Sequence, residues 1–254
     1  MDQKKIKVKD LEISSIINVE ANSDELIFCI HGLGCDKNTF KNILDYPEFT
    51  KYNLLIPDLV GFGESQNPDN FSYNLEEQSV TISELLKIFD VKKIHIVAHS
   101  MGGAIALLLP EEIRSKIESF ASLEGNLTLD DCKMLSLKIA STPFDQFKNQ
   151  IFEKIRKQFV ESELFNFSAT TPEALWNSSK SLVNLSEGDN FLKRFKELKT
   201  RRAYFFGEEN LNSEVIPKLN GIEHVMIARS GHEMMVENPE EFYSRLYDFI
   251  NNDL

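Results

Sequence analysis

Short apolar runs that end in turn residues recur along the chain, and segments with helical spacing separate them. Six runs carry the pattern: LIFCI before HGLG, YNLLIP before DLVGFGES, KIHIV before AHSMGG, IESFASL before EGN, RRAYFF before GEEN, and EHVMIA before RSGH. The clearest helical stretches are residues 74–89, 102–114 and 239–250. Strands that alternate with helices in this way predict a mostly parallel sheet covered by helices on both faces.

The two ends of the chain carry signals of their own. Near the start, KIKVK alternates with period two, LEI continues the alternation, and IINV from Ile16 is typical of a second strand. This pattern predicts a hairpin at the edge of the sheet. Near the other end, Asn238 is suited to cap the last helix, Pro239 to occupy its first turn, and Glu241 to reach back to the cap.

Residues 126–199 interrupt the alternation, because they contain no clear strand. Two sets of apolar residues recur there at helical spacing: Ile151, Ile155 and Phe159, and Phe191 with Phe195. The segment also holds eight of the 19 phenylalanines and the only tryptophan, Trp176. We predict a core of residues 1–125 and 200–254, with residues 126–199 inserted as a helical cap. Most of these phenylalanines are expected to pack the cap onto the core, and the others to line an apolar pocket.

Length, charge and cysteine content limit the classes of protein. A chain of 254 residues favours one domain with one insertion. The formal net charge of -12 repels phosphate and anionic lipid head groups, so we expect no nucleic-acid and no membrane-surface binding. The lysine-rich start lacks a following apolar run, which predicts no signal peptide. No window of the sequence approaches eighteen apolar residues, which predicts no transmembrane segment. The three cysteines have no C-x-x-C spacing and are expected as reduced thiols of a cytoplasmic protein, Cys29 in the core and Cys35 near the site.

One serine lies at the junction between a predicted strand and a predicted helix. The chain runs IHIVAH, then Ser100, then MGGAIALLL. A turn this sharp places its apex residue over the carboxyl edge of the sheet, where ligands bind in open α/β sheets. It also brings together the residues two before and two after the apex, and both are small, Ala98 and Gly102. This is the pattern of a nucleophile elbow, with a simple helix cap as the alternative interpretation.

Four motifs, in this order, resemble those of the α/β-hydrolase fold family: HGLG from His31, DLVGFGES from Asp58, AHSMGG from Ala98, and SGHEMMVENPE from Ser230. The resemblance covers nearly the whole chain. It implies an eight-stranded, mostly parallel sheet flanked by helices, with a helical cap after the sixth core strand.

The same resemblance implies roles for individual residues. Ser100 corresponds to the nucleophile and His232 to its general base. The backbone amides of Leu33 and Met101 correspond to the donors of an oxyanion hole. The other four histidines are weaker candidates for the base: His31, His95, His99 and His224. The DLVGFGES loop is expected to support the site without taking part in the chemistry.

The acid of the triad departs from the usual pattern. The family usually carries it after the seventh core strand, three residues beyond a glycine, and YFFGEEN places Asn210 in that position. Some members carry the acid after the sixth strand, where ASLEGN offers Glu124. We therefore favour Glu124, with Glu209 and Glu208 as alternatives, and a solvated turn or cap residue as the plain interpretation of Glu124.

These residues favour a serine hydrolase that cleaves a carboxylic ester or thioester of a small, apolar acyl substrate, with no cofactor and no metal. Family members that hydrolyse carbon–carbon bonds or amides carry the same triad, so those reactions stay open. A non-catalytic receptor of the same fold is a further alternative, because Asn210 occupies the usual place of the acid. The sequence determines neither the natural small-molecule substrate, nor any lid motion, nor whether a homodimer forms.

Overall fold

A central sheet of eight strands organises the molecule in the computed structural model, which describes residues 2–19, 23–161 and 170–251. The strands are β1 (Asp2–Val8), β2 (Leu11–Asn18), β3 (Glu25–Ile30), β4 (Asn53–Pro57), β5 (Lys93–His99), β6 (Ile117–Leu123), β7 (Arg201–Gly207) and β8 (Glu223–Ile227). Their order across the sheet is β1-β2-β4-β3-β5-β6-β7-β8. Only β2 runs antiparallel to its neighbours, so the predicted mostly parallel sheet is confirmed.

The predicted edge hairpin is formed by β1 and β2. Val8 pairs with Leu11, so the connecting turn is only two residues long. The second strand therefore begins at Leu11 rather than at Ile16, where the sequence pattern was expected to start it. The alternating residues from Leu11 onward are part of β2 and do not extend β1, because every residue from Leu11 to Ile17 is paired with β1.

Alternate residues of the inner strands face two separate hydrophobic cores. In β3, Leu26, Phe28 and Ile30 belong to one core, whereas Ile27 and Cys29 belong to the other. Strands buried on both faces require nearly continuous apolar runs, which explains why LIFCI shows no polar alternation. The same arrangement confirms that Cys29 is a core residue, with 0% of its surface exposed.

Ten α-helices lie within the described residues. They are α1 (Leu75–Lys87), α2 (Met101–Leu107), α3 (Glu111–Arg114), α4 (Ser136–Ala140), α5 (Phe144–Gln146), α6 (Phe152–Glu161), α7 (Pro172–Ser186), α8 (Asn190–Glu197), α9 (Met234–Glu237) and α10 (Pro239–Asn251). Each described helix is either too short or too polar to cross a lipid bilayer.

The expectation of one helix over residues 102–114 is wrong. Two helices, α2 and α3, share this stretch, and Pro110 lies between them as the residue before α3. Proline lacks an amide hydrogen and restricts the residue before it, so the first helix ends and a second begins. The break leaves α2 as a short helix that directly follows Ser100.

The last helix begins as predicted, but its cap differs in detail. The side-chain oxygen of Asn238 accepts a long hydrogen bond of 3.5 Å from the amide of Glu241. The Glu241 carboxylate bonds to the side-chain amide of Asn238 at 3.1 Å and to the amide of Ala228 at 3.1 Å, not to the backbone amide of Asn238. That backbone amide is already used, because it donates to Met234 at the end of α9.

Between β6 and β7, the described residues form α4 to α8 and no strand, so a helical insertion follows the sixth strand as predicted. Four of its phenylalanines join the core: Phe147, Phe152, Phe191 and Phe195. Ile155 lies in α6, while Ile151 ends a π-helical turn before it. The side chain of Phe159, together with Phe165 and Phe167, lies outside the described part of the chain.

Candidate active site

Ser100 lies at the apex of the turn between β5 and α2, with a strained backbone conformation. Its φ is 50° and its ψ is −121°, a combination that non-glycine residues rarely adopt. The amide of Ser100 donates to Leu123 at 3.0 Å, and its carbonyl accepts from Gly103 at 2.9 Å, so both sides of the turn are tied down. At Gly102, a Cβ atom would lie 2.4 Å from the carbonyl oxygen of Ile30. Only glycine allows this close approach to β3, which explains the small residue at this position.

His232 and Glu124 form a short hydrogen bond at the same edge of the sheet. The Nδ1 atom of His232 lies 2.7 Å from Oε2 of Glu124. Glu124 follows β6 directly, and His232 lies in the loop between β8 and α9. Burial alone would lower the pKa of His232, but the bond to Glu124 and the charge of Glu233 outweigh it and raise that pKa above its ordinary value. An imidazole held in this way has Nε2 free to exchange a proton.

The residue in the usual acid position, Asn210, contacts Glu124 rather than His232. Its side-chain amide donates to Oε1 of Glu124 at 2.9 Å and to Oε2 at 3.0 Å. The alternative acids lie elsewhere. Glu208 accepts from the amide of Arg229 at 2.8 Å, and the Glu209 carboxylate lies beside Gly231. Neither of these carboxylates forms a hydrogen bond with His232, so the structure brings only Glu124 to the imidazole among the three candidates.

Ser100 and His232 line one narrow cavity of about 40 Å³. The other residues that line it are Leu33, Asn126, Asp131, Met134, Leu135 and Ser136. The hydroxyl of Ser100 donates to the side-chain oxygen of Asn126 at 3.3 Å, and among the described residues it makes no hydrogen bond with His232. Sequence reasoning missed Asn126 as a site residue. The available signal was its position two residues after Glu124, in the same turn at the end of β6.

The HGLG loop packs directly on the elbow. A Cβ atom at Gly32 would lie 2.8 Å from Nδ1 of His99 and 3.1 Å from Cβ of Ser100. His31 orients the loop, because its Nδ1 donates to Gly32 at 2.8 Å while its Nε2 accepts from Leu59 at 2.9 Å. Leu33 lines the cavity at Ser100, and Met101 is the first residue of α2, where amides have no acceptor within the helix. Both candidate oxyanion donors are therefore next to the candidate nucleophile.

The DLVGFGES loop is connected to the HGLG loop by a buried ion pair. The Lys37 side chain is 1% exposed, and its Nζ donates to Asp58 at 2.8 Å and to Glu64 at 2.8 Å. Asp58 also accepts from the backbone amides of Lys37 and Glu64. These contacts are those of a structural support for the loop that carries Leu33.

A second, larger cavity of about 290 Å³ lies on the acid side of His232. Besides His232, the residues that line it are Glu124, Asp130, Asp131, Lys133, Met134, Tyr204, Asn210, Asn212, Ser213 and Glu214. His232, Asp131 and Met134 line both cavities. No described phenylalanine of the insertion lines either one, so the expected aromatic-lined pocket is not found among the described residues. The described phenylalanines are used in packing.

Behind the elbow, three buried side chains come together: those of Cys35, His99 and Glu233. The Nε2 atom of His99 lies 3.1 Å from the carbonyl oxygen of His232, so this ring points away from Ser100 and its cavity. Burial raises the pKa of the Glu233 carboxyl to about 7. Burial also raises the pKa of the Cys35 thiol well above its usual range. The group is separate from the cavity at Ser100, whose lining includes none of its members.

Comparisons with known proteins agree with this architecture. The model of the family described as alpha/beta hydrolase fold matches residues 25–215, and the chain belongs to that family. Among solved structures, a thermophilic esterase from Thermogutta terrifontis superposes with a TM-score of 0.76 at 17% identity and covers 100% of this chain and 99% of its own. The haloalkane dehalogenase DatA from Agrobacterium tumefaciens C58 gives a TM-score of 0.75 at 16% identity, with 100% and 97% coverage. At such identities the likeness concerns the fold alone.

Two curated relatives show how far the sequence likeness extends. Lipase 1 of Psychrobacter immobilis is 35% identical over 123 residues, which span 42% of this chain and 38% of the lipase. The match therefore covers well under half the length of that relative. The uncharacterized hydrolase YugF of Bacillus subtilis is 22% identical over 247 residues and spans 89% of this chain and 90% of its own.

Proposed function

We propose that the protein is a serine hydrolase that cleaves carboxylic esters, with Ser100 as nucleophile, His232 as general base and Glu124 as the acid of the triad. The observation that carries the proposal is the 2.7 Å bond between His232 and Glu124, with Ser100 on a strained turn in the same cavity as His232. Similarity to proteins named as a lipase and an esterase supports the choice of ester as the bond that is cleaved.

The geometry suggests an acyl-enzyme mechanism. The Ser100 oxygen attacks the ester carbonyl while Nε2 of His232 takes its proton, and Glu124 orients the imidazole and stabilises the imidazolium. The amides of Leu33 and Met101 stabilise the negative oxygen of the tetrahedral intermediate. His232 then returns the proton to the leaving alcohol. A water molecule, activated by the same imidazole, attacks the acyl-enzyme and releases the acid together with free Ser100.

The contact between Ser100 and Asn126 is assigned to the resting state of this mechanism. The hydroxyl bonds to Asn126 at 3.3 Å, a long and therefore weak hydrogen bond. Rotation about the single χ1 angle of serine exchanges one staggered position for another, so the hydroxyl can turn from Asn126 to His232 when substrate enters.

The two cavities suggest which parts of the substrate bind where. The cavity at Ser100, about 40 Å³, has room for roughly three water-sized groups, which suits a short acyl chain against Leu33, Met134 and Leu135. The larger cavity has a polar lining and lies beside His232, which protonates the leaving group, so we assign the alcohol portion to it. In this proposal residues 126–199 act as the cap over a core of residues 1–125 and 200–254, because Asn126 to Ser136 supply most of the lining of the smaller cavity.

The decisive experiment is hydrolysis of nitrophenyl esters of graded acyl length by wild type, Ser100→Ala and Ser115→Ala. Ser115 is an exposed serine whose hydroxyl donates to the Glu112 carbonyl, so its alanine variant is the matched control. We expect wild type and Ser115→Ala to prefer acetyl and propionyl esters. Ser100→Ala should lose roughly 10⁴-fold or more of kcat, as expected when a triad nucleophile is removed.

Other outcomes have distinct meanings when combined with phosphonate labelling. If wild type cleaves no ester but Ser100 is labelled, the nucleophile is active and the bond is an amide, a thioester or a carbon–carbon bond. If Ser100 is neither labelled nor able to hydrolyse an ester, the chain is a non-catalytic member of the fold and the proposal is wrong. Full activity in Ser100→Ala would move the chemistry to another residue.

A further inference from the structure

Three buried side chains behind the elbow belong to the three loops that carry the proposed catalytic groups. Cys35 follows Leu33 by two residues, His99 immediately precedes Ser100, and Glu233 immediately follows His232. Each of the three is at most 1% exposed. One ligand atom from each lies within 4.8 Å of those of the other two, and Nε2 of His99 is 3.6 Å from Oε1 of Glu233.

The polar atoms of this group are poorly satisfied by the protein. Neither oxygen of Glu233 has a hydrogen-bond partner among the described residues, and neither has Nδ1 of His99. The sulfur of Cys35 has weak hydrogen-bond contacts, to the carbonyl of Leu33 3.9 Å away, to the side chain of Thr39 and to the backbone of Gly32. Buried polar groups are nearly always paired in folded proteins, and a buried carboxylate without a partner costs several kcal/mol or more. A cation that takes electron pairs from the three side chains would give the buried Glu233 carboxylate the partner that it lacks among the described residues.

We propose that Cys35, His99 and Glu233 bind one divalent cation of the zinc type. Thiolate, imidazole and carboxylate are the three ligand types that Zn²⁺ uses in proteins. Zinc–ligand bonds of about 2.0–2.3 Å place neighbouring donor atoms roughly 3.3–3.8 Å apart. The 3.6 Å between Nε2 of His99 and Oε1 of Glu233 already has this value, and Cys35 has to approach by about 1 Å at most. When the ion binds, Nε2 releases to solvent the proton that it now donates to the His232 carbonyl. The charges balance, because one Zn²⁺ neutralises one thiolate and one carboxylate beside a neutral imidazole.

The role of this ion is structural. None of its ligands lines the cavity at Ser100, so the ion does not reach the ester. It joins the oxyanion loop, the elbow and the histidine loop at one point, which fixes the three loops relative to one another. A bound ion departs from the expectation of no metal, although it takes no part in the chemistry. The inference therefore goes beyond the proposed function and does not depend on it.

The test is the metal content of the full-length protein. Wild type is stripped with a chelator under mild denaturation, refolded with ZnCl₂, passed through gel filtration and analysed by mass spectrometry for zinc per chain. We expect about one zinc per chain for wild type and less than about a tenth of that for Cys35→Ser and Glu233→Gln. Cys29→Ser and Cys132→Ser are matched controls, since they remove buried thiols outside the group, and they should retain zinc.

A second measurement keeps the test decisive if a variant fails to fold. Wild type refolded with CoCl₂ should show the intense near-ultraviolet absorption of a cobalt–thiolate bond, and zinc should raise its thermal midpoint above that of the chelated protein. Ser100→Ala removes the proposed nucleophile but no ligand, so it should bind zinc as wild type does even if it cleaves nothing. The proposal is overturned if wild type retains no zinc and shows no cobalt–thiolate band, or if Cys35→Ser binds as much zinc as wild type.

Discussion

Glu124 is held in place from two sides before it meets His232. The backbone amide of Gly207 donates to it at 2.9 Å, and the side-chain amide of Asn210 donates to both of its oxygens. Its own backbone has a φ of 42° and is fixed by a hydrogen bond to Phe205. A carboxylate restrained in this way presents one oxygen to Nδ1 in a fixed direction, which is the role that the acid has in a serine triad.

Replacement of Glu124 by glutamine keeps the side-chain shape but removes the charge beside His232. We expect kcat/KM to fall by about 10⁴-fold, the effect of the corresponding aspartate-to-asparagine change in the serine-protease template. Burial lowers the pKa of His232, and the bond and charge of Glu124 are among the effects that oppose it. Glu124→Gln should therefore lower this pKa, so that the loss of residual activity on acidification begins at a lower pH than in wild type.

The control for this prediction is Glu209→Gln, measured over the same pH range. Glu209 follows β7 and does not bond to His232, so its variant should keep the rate and the pH profile of wild type. If Glu124→Gln kept wild-type kinetics while Glu209→Gln lost activity, the role of the acid would pass to the loop after β7.

Local patterns, together with the resemblance to the family, are sufficient to single out Ser100, His232 and Glu124 as candidates in the sequence, but not to predict their contacts. Each follows or precedes a recognisable strand, so its place at the sheet edge can be predicted. The bond from Asn210 to Glu124 joins residues that lie 86 positions apart, and it exists because β6 and β7 are neighbours in a particular register. From the sequence, Asn210 could be interpreted only as a substitute for an acid, and the signal for Asn126 was limited to its position two residues after Glu124.

At the scale of elements, the site depends on loops that are tied to one another. The loop after β3 carries Leu33, and the loop after β4 carries Asp58. Lys37 connects them through its bonds to Asp58 and Glu64, and His31 connects them again through Leu59. Loops of this kind are positioned by a few buried polar contacts, because they have no regular backbone pairing of their own.

Removal of the Lys37 charge should destabilise the whole fold. Lys37→Met leaves Asp58, which is 0% exposed, without its cationic partner. Breaking a buried pair from one side costs about 3–5 kcal/mol, and we expect about 3 kcal/mol because Glu64, the second partner, is 61% exposed. At roughly 2–4 °C per kcal/mol for a chain of this size, the thermal midpoint should fall by about 6–12 °C in differential scanning calorimetry.

Lys92→Met is the matched control for that measurement. Lys92 also bonds to an aspartate, Asp24, but its side chain is 77% exposed. Exposed ion pairs contribute little to stability, so no measurable change in the thermal midpoint is expected. A Lys37→Met protein as stable as the Lys92→Met protein would contradict the assignment of Lys37 as a structural support.

Most elements could be predicted because strand and helix patterns are local. Two exceptions also have local causes. Pro110 divides the stretch 102–114 into α2 and α3, and the backbone amide of Asn238 already donates to Met234 of α9. The shape of the cavities was beyond such reasoning. Whether a phenylalanine of the insertion lines a pocket or packs on the core depends on how α4 to α8 settle on the sheet, which helical spacing alone does not determine.

At the scale of the whole molecule, charge distinguishes between kinds of substrate. The formal net charge is -12. The cavity assigned to the alcohol portion is also acidic, because four carboxylate residues but only one lysine line it. The carboxylates belong to Glu124, Asp130, Asp131 and Glu214, and the lysine is Lys133. Lys133 lies 2.6 Å from Asp130, so its charge is partly neutralised within the cavity wall. A negative field of this extent repels an anionic leaving group both on approach and when bound.

An anionic ester should therefore be a poorer substrate than a neutral ester of the same shape. Methyl 4-acetoxybenzoate and 4-acetoxybenzoate share the acetyl group and the aromatic alcohol but differ by one negative charge. At low salt we expect kcat/KM for the anion to be about tenfold lower, which corresponds to ~1.4 kcal/mol of repulsion. The ratio should approach one as salt rises from 0.01 M to 1 M, because the screening length falls from about 30 Å to about 3 Å. The neutral ester corrects for other effects of salt. An anion cleaved as fast as the neutral ester at low salt would show that the alcohol portion does not enter the acidic cavity.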